Sequence, residues 1–195
     1  MRNRRVHRVR RPGLRRRATR WVVAILMMLG ASGPVFAATD RPLVDLSAWT
    51  GGEKPEFTLD DLDKRPVASR ALPGQVLVVH FFATWCEPCL VEIPALRRLV
   101  ERSDPALLRV LAISVGEVDV RVRNFFDRVP VNFTVLLDRD RGVARSWGIY
   151  ALPTTYILGH DRTPRYFVER DHDWDRLDVA ALLTALAAPP GNADR

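Results

Sequence analysis

Apolar positions along the chain fall into short runs whose spacing alternates between that of strands and that of helices. Val76 to Phe82 (VLVVHFF) is a continuous run rich in β-branched residues, as expected of a strand covered on both faces of a parallel or mixed sheet. From about Glu87 to Arg102 the spacing changes, and Val91, Leu96, Leu99 and Val100 form a helical stripe. A strand over Arg109 to Val115, a helix over roughly Val120 to Val129 carrying Val122, Phe125 and Phe126, and a strand over Phe133 to Leu137 follow. A short helix around Val143 to Trp147 precedes strands at Thr155 to Leu158 and Arg165 to Val168. The last helix, Asp175 to Ala188, starts on an Asp-rich cap and stops at Pro189-Pro190. Upstream, residues 41 to 75 are rich in Pro, Gly and Asp and read as an extended lead-in with a hairpin around Phe57-Thr58-Leu59. The order is that of an α/β domain with a mixed central sheet flanked by helices.

Charge changes the picture at one end. Residues 1 to 20 hold ten arginines and no acid, which leaves 20 cationic and 23 anionic groups on the rest of a chain whose net charge is +7. The body is therefore mildly acidic, and a nucleic-acid-binding reading loses its support. Behind the arginines, Trp21 to Leu29 is apolar and no charge appears until Asp40, the pattern of a secretory signal. Val35-Phe36-Ala37 supplies small residues for cleavage after Ala37. The alternative keeps the 19 uncharged residues from Trp21 to Thr39 as a membrane anchor. Both place everything after residue 40 outside the cytoplasm. The expected organisation is a signal or anchor over 1–37, an extension over 38–70, the main domain over 71–188 and a disordered tail over 189–195.

The chain has two cysteines, both in Trp85-Cys86-Glu87-Pro88-Cys89, between the first core strand and the first helix. Unpaired N–H groups at a helix N-terminus stabilise a thiolate, which makes Cys86 the candidate nucleophile. Cys89, three residues on along the same helical face, is placed to attack a mixed disulfide at Cys86. Pro88 fits the first turn, where a missing N–H costs nothing. A structural disulfide closing four residues restrains the unfolded chain little. A zinc site needs about four ligands, and His80, His160 and His172 are scattered with no second close pair. Redox exchange is favoured over both.

Together with these cysteines, Phe57-Thr58-Leu59-Asp60-Asp61-Leu62, Val76 to Phe82, Ala83-Thr84-Trp85, Glu92-Ile93-Pro94, Val135-Leu136-Leu137-Asp138, and Gly148 followed by Leu152-Pro153-Thr154-Thr155-Tyr156 resemble the thioredoxin-like disulfide reductases of the TlpA, ResA and CcmG type, within the redoxin family. The resemblance runs from about residue 55 to 185. It implies a thioredoxin fold with an N-terminal extension and an exported domain facing the periplasm; a monomer that needs no cofactor is expected. It further implies reduction of disulfides in exported proteins, apocytochrome c or copper-site proteins among them, with a membrane thiol donor restoring the dithiol. Pro153 is implied to be cis beside the sulfurs, with the backbone of Leu152 pairing with substrate by strand addition. Trp85 is expected to shape the docking surface.

Glu92 reads from the residues alone as a solvated glutamate on an amphipathic helix. The resemblance turns it into a group that exchanges a proton with Cys89 or raises the thiol pKa values by repulsion. With Glu87 beside the nucleophile, a potential nearer thioredoxin's ~−270 mV than DsbA's ~−120 mV is expected. His80 stands where the family commonly has asparagine and reads as a hydrogen-bonded core residue. Asp171-His172-Asp173-Trp174 departs from a pattern that commonly has glycine before the tryptophan, and it receives no chemical assignment. The competing functions are a general disulfide oxidase and a Cu(I) chaperone using the same two thiolates.

Overall fold

The computed structural model describes residues 46–72 and 74–187. The expected signal or anchor over 1–37 and the tail over 189–195 lie outside the described residues. A single eight-stranded sheet is built from β1 (Ser47–Ala48), β2 (Thr58–Asp61), β3 (Pro66–Ala68), β4 (Val76–Phe82), β5 (Leu108–Val115), β6 (Thr134–Asp138), β7 (Thr154–Leu158) and β8 (Pro164–Val168), in the order β1-β8-β7-β4-β5-β6-β2-β3. The helices are α1 (Glu87–Glu101), α2 (Asp119–Phe126), α3 (Gly142–Trp147) and α4 (Val179–Ala187).

β4 is the central strand, and every one of its side chains is buried. It runs parallel to β5 and antiparallel to β7, so the sheet is mixed. Alternation along β4 sends Val76 and Val78 to one core face, with Leu96 and Leu99 of α1 and Leu182 of α4, and sends Leu77, Val79 and Phe81 to the other, with Trp147 and Tyr156. The expected hairpin forms as β2–β3. Asp61 turns it by accepting from the N–H groups of Asp63 (2.8 Å) and Arg65 (2.9 Å). Its strand β2 also pairs with β6, and β1 pairs with β8, so the lead-in supplies both outer edges of the sheet.

One expected element differs. The run from Asp175 is not one helix: a 3-10 turn at Trp174–Arg176 is capped by the Asp173 carboxylate, Leu177 is extended, and α4 begins only after Asp178, whose carboxylate accepts from Ala181 N (3.0 Å). Two clustered aspartates thus cap two successive turns rather than one long helix. The break lets Trp174 drop into the core while Asp175 reaches back to Arg98 of α1 (2.9 and 2.7 Å). Arg102 of α1 donates to the carbonyls of Trp174 and Leu177. The C-terminal segment is therefore held against α1, which matters for Glu92.

Candidate active site

The chain leaves β4 at its carboxyl end, turns through Ala83-Thr84-Trp85 and enters α1 at Cys86, which has extended backbone angles and caps the helix. Cys86 and Cys89 are joined by a disulfide with Cα atoms 5.3 Å apart. Cys86 Sγ accepts from the N–H of Cys89 at 3.4 Å, so the first sulfur faces the unpaired amides of the helix end. Cys86 keeps 5% of its surface exposed and Cys89 none. Only the first sulfur is open to attack or to attack from. Pro88 lies in the first turn, and α1 continues through Pro94.

Pro153, at the start of β7, is joined to Leu152 by a cis peptide bond. Leu152 packs on the apolar cluster that holds both cysteines. Trp85, by contrast, is 62% exposed.

Glu92 is not solvated, as amphipathic spacing alone implies, but 2% exposed, one turn beyond Cys89 on α1. The C-terminal segment that α1 holds covers it. The backbone N–H of His172 donates to Oε1, and the Trp174 indole N–H faces the carboxyl from outside hydrogen-bonding geometry. Burial dominates and raises the Glu92 pKa to about 7; the His172 and Trp174 N–H groups pull it down and Asp171 pushes it up. His80 lies on the other side. Its Nδ1 is 2.9 Å from Thr155 Oγ1, directly across the β4–β7 ladder, and 3.4 Å from Glu92 Oε2. Complete burial lowers the His80 pKa to about 3, so its ring is neutral. The core reading of His80 and a place beside the site are therefore both true of it.

Three groups escape the sequence reading. Segment 171–174 closes the chamber around Glu92, through a backbone N–H and an indole that no residue pattern announces. Glu117, after a glycine at the carboxyl end of β5, accepts from Thr84 N (2.8 Å), Thr84 Oγ1 (2.5 Å) and Ser114 Oγ (2.8 Å). It is buried and pins the turn that delivers Trp85 and Cys86. Its signal was legible: an acid following Gly116 at the edge where β4 delivers the cysteines. Thr155, the third, faces His80 across the ladder, a contact its sequence pattern does not announce.

Among the described residues, no group of three or more His, Cys, Asp or Glu side chains is arranged to hold a metal ion. A disulfide closing so short a loop stabilises little, and its seat at a helix end beyond the central strand marks exchange chemistry: the protein is a thiol-disulfide oxidoreductase of thioredoxin fold. The chain belongs to the AhpC/TSA family, whose pattern matches residues 50–167.

Its relatives include the thiol-disulfide oxidoreductase ResA of Geobacillus thermodenitrificans, 30% identical over 139 residues that cover 70% of this chain and 78% of that protein. ResA of Bacillus subtilis is 33% identical over 108 residues, 55% of this chain, and the match spans 60% of that protein's length. Among solved structures, a putative thiol:disulfide interchange protein DsbE from Chlorobium tepidum superposes with a TM-score of 0.63 at 22% identity, covering 73% of this chain and all but 1% of its own. StoA from Bacillus subtilis shares the fold with a TM-score of 0.58 at 15% identity, over 69% of this chain and 99% of that one.

Proposed function

We propose that this oxidoreductase acts outside the cytoplasm as a reductant of disulfides in exported proteins. The Cys86 thiolate attacks a partner disulfide: a Cys86–partner S–S bond forms, the partner's own S–S bond breaks, and the departing sulfur takes up a proton. Cys89, having given up its proton, then attacks Cys86 and releases the partner's second thiol. The partner gains two electrons and two protons, and the protein is left with the Cys86–Cys89 disulfide. A membrane thiol donor restores the dithiol. Glu92 accepts the proton of Cys89, and the backbone of Leu152, before Pro153, pairs with the extended partner segment while Trp85 contacts it.

The observation that carries the reductive direction is Glu92, an acid buried one turn beyond the second sulfur. A carboxylate there disfavours thiolates and so makes the disulfide less oxidising. The arginine-rich start followed by an uncharged apolar run supports export; among the described residues no helix is long and apolar enough to cross a membrane. Proteins of the apocytochrome c and copper-site kind are the substrates proposed.

Replacing Cys89 by Ser tests the scheme. Cys86 then holds exported proteins in mixed disulfides that can be isolated and identified. Capture of none overturns the two-step mechanism, and a reduction potential above about −150 mV overturns the reductive direction.

A further inference from the structure

Beside the disulfide lies a cleft of about 430 Å³ that extends beyond the groups used in the exchange itself. Trp85, the residue before Cys86, and Leu152, the residue before the cis proline, line it together with Arg141, Arg145 and Tyr150. Tyr150 is 92% exposed, so with Trp85 the rim carries two open aromatic rings of the kind that dominate protein contacts. Among the described residues, no Asp or Glu lines it.

Both arginines are exposed. Arg145 donates to the backbone carbonyl of Asp140 (2.6 Å), a bond that fixes the guanidinium without cancelling its charge. Among the described residues, neither Arg141 nor Arg145 forms an ion pair, whereas neighbouring Arg139 is held by Asp119 (2.6 Å) and Asp60 (2.8 Å). The nearby carboxylates sit in other hydrogen bonds, Asp138 accepting from the N–H groups of Val143 and Ala144, Asp140 from Gly142, and Glu117 from Thr84 and Ser114, and none of them reaches either arginine.

Arg141 is also placed by the backbone. It adopts a left-handed conformation (φ 60°), uncommon for a residue with a side chain, and its side chain lies across Gly116, where any Cβ would collide with the guanidinium. Gly116 and Arg141 both donate their N–H to the carbonyl of Asp138, which ties the arginine to the end of the sheet.

We propose that this cleft selects the substrate: an extended, cysteine-bearing segment that carries an aspartate or glutamate close to the cysteine under attack, read by Arg141 and Arg145. The inference rests on the reductase reading and adds charge selection to it. A positive cleft on a mildly acidic body steers such a segment to Cys86 and repels basic ones.

The test uses two synthetic peptides, each with one internal disulfide, identical except for Asp or Lys near the first cysteine. Their reduction by the dithiol protein is followed by its tryptophan fluorescence. The Asp peptide reacts faster on the order of tenfold at low ionic strength, and the gap closes as salt approaches 1 M, where the screening length is about 3 Å. With Arg141→Glu and Arg145→Glu combined, the ratio inverts. Because the readout is a ratio within one preparation, the amount of folded protein does not enter it. Equal rates for the two peptides, or a preference for Asp that survives the double substitution, overturn charge selection while reduction stands. If the protein reduces neither peptide nor the small neutral hydroxyethyl disulfide, the reductase reading itself fails and this inference with it.

Discussion

His80 and Glu92 meet inside the protein, Nδ1 3.4 Å from Oε2, at exposures of 0% and 2%. The pair has the residue types of a salt bridge and the energetics of something else. Burial keeps the histidine neutral down to a pKa of about 3 and keeps the carboxyl protonated up to about 7, so between those two values both are uncharged. Neither group compensates the other's desolvation with charge; each avoids it by staying neutral.

A stability profile with a flat top follows. Glu92 binds its proton more tightly folded than unfolded, so folding is favoured below its ordinary 4.5 and that contribution is lost as pH rises through about 7, about 3 kcal/mol in all. His80 has the opposite sign: charging it is disfavoured in the fold, so stability is full above 6.5 and falls as pH drops towards about 3. Between 4.5 and 6.5 the two slopes cancel, one proton against one. Urea denaturation of the oxidised protein shows it as the difference between wild type and Glu92→Gln, which gains on wild type as pH rises from 4.5 to above 7. An unchanged difference across that range contradicts the assignment.

The same residues mark how far the chain could be read without its fold. The cysteines announce themselves because their chemistry depends on local position, a strand end and a helix start, and both are written in short-range pattern. Glu92 does not, because its helical spacing is that of a surface residue and what buries it arrives from 80 positions away, at His172. The last helix starts later than its pattern indicates for a related reason. Asp173, Asp175 and Asp178 are equally good caps by type, and only the docking of Trp174 and the Arg98–Asp175 pair decides which of them begin turns. The core strand β4 was legible to the residue, since a fully buried strand needs no partner to identify it.

Glu92 also leaves a kinetic trace. If it takes the proton of Cys89, the step that resolves the mixed disulfide accelerates with pH through about 7 as the carboxyl ionises. Glu92→Gln slows that step by about a hundredfold and removes the inflection. Attack by Cys86 on a small disulfide, which precedes it, changes far less. Single-turnover measurements separate the two steps, and a Gln variant that keeps the inflection refutes the role.

Glu117 is expected to matter through the turn it holds. Glu117→Ala leaves the Thr84 N–H and the Ser114 hydroxyl without their acceptor. Each buried bond to a charged acceptor is worth about 1.5–3 kcal/mol, so the variant loses roughly 3 kcal/mol or more. Glu117→Gln retains an acceptor oxygen and loses at least about 1 kcal/mol less. Thermal denaturation of both orders them, and equal losses show that the bonds do not carry the effect.

Trp174 separates the two influences on Glu92. Its buried indole both excludes water from the carboxyl and presents an N–H that lowers the carboxyl's pKa. Trp174→Phe removes the N–H and keeps the apolar cover, so the Glu92 pKa rises above about 7. Trp174→Ala opens a cavity, costs about 3–5 kcal/mol of stability and admits water, so the pKa falls towards the ordinary 4.5. The two substitutions thus move one titration in opposite directions, which no uniform loosening of the fold can do. Carbon-detected NMR titration of the Glu92 carboxyl follows both. By contrast Asp175→Asn, which weakens only the half-exposed pairings with Arg98 and Arg102, leaves the titration in place, because the bonds from Arg102 to the carbonyls of Trp174 and Leu177 still hold the segment down.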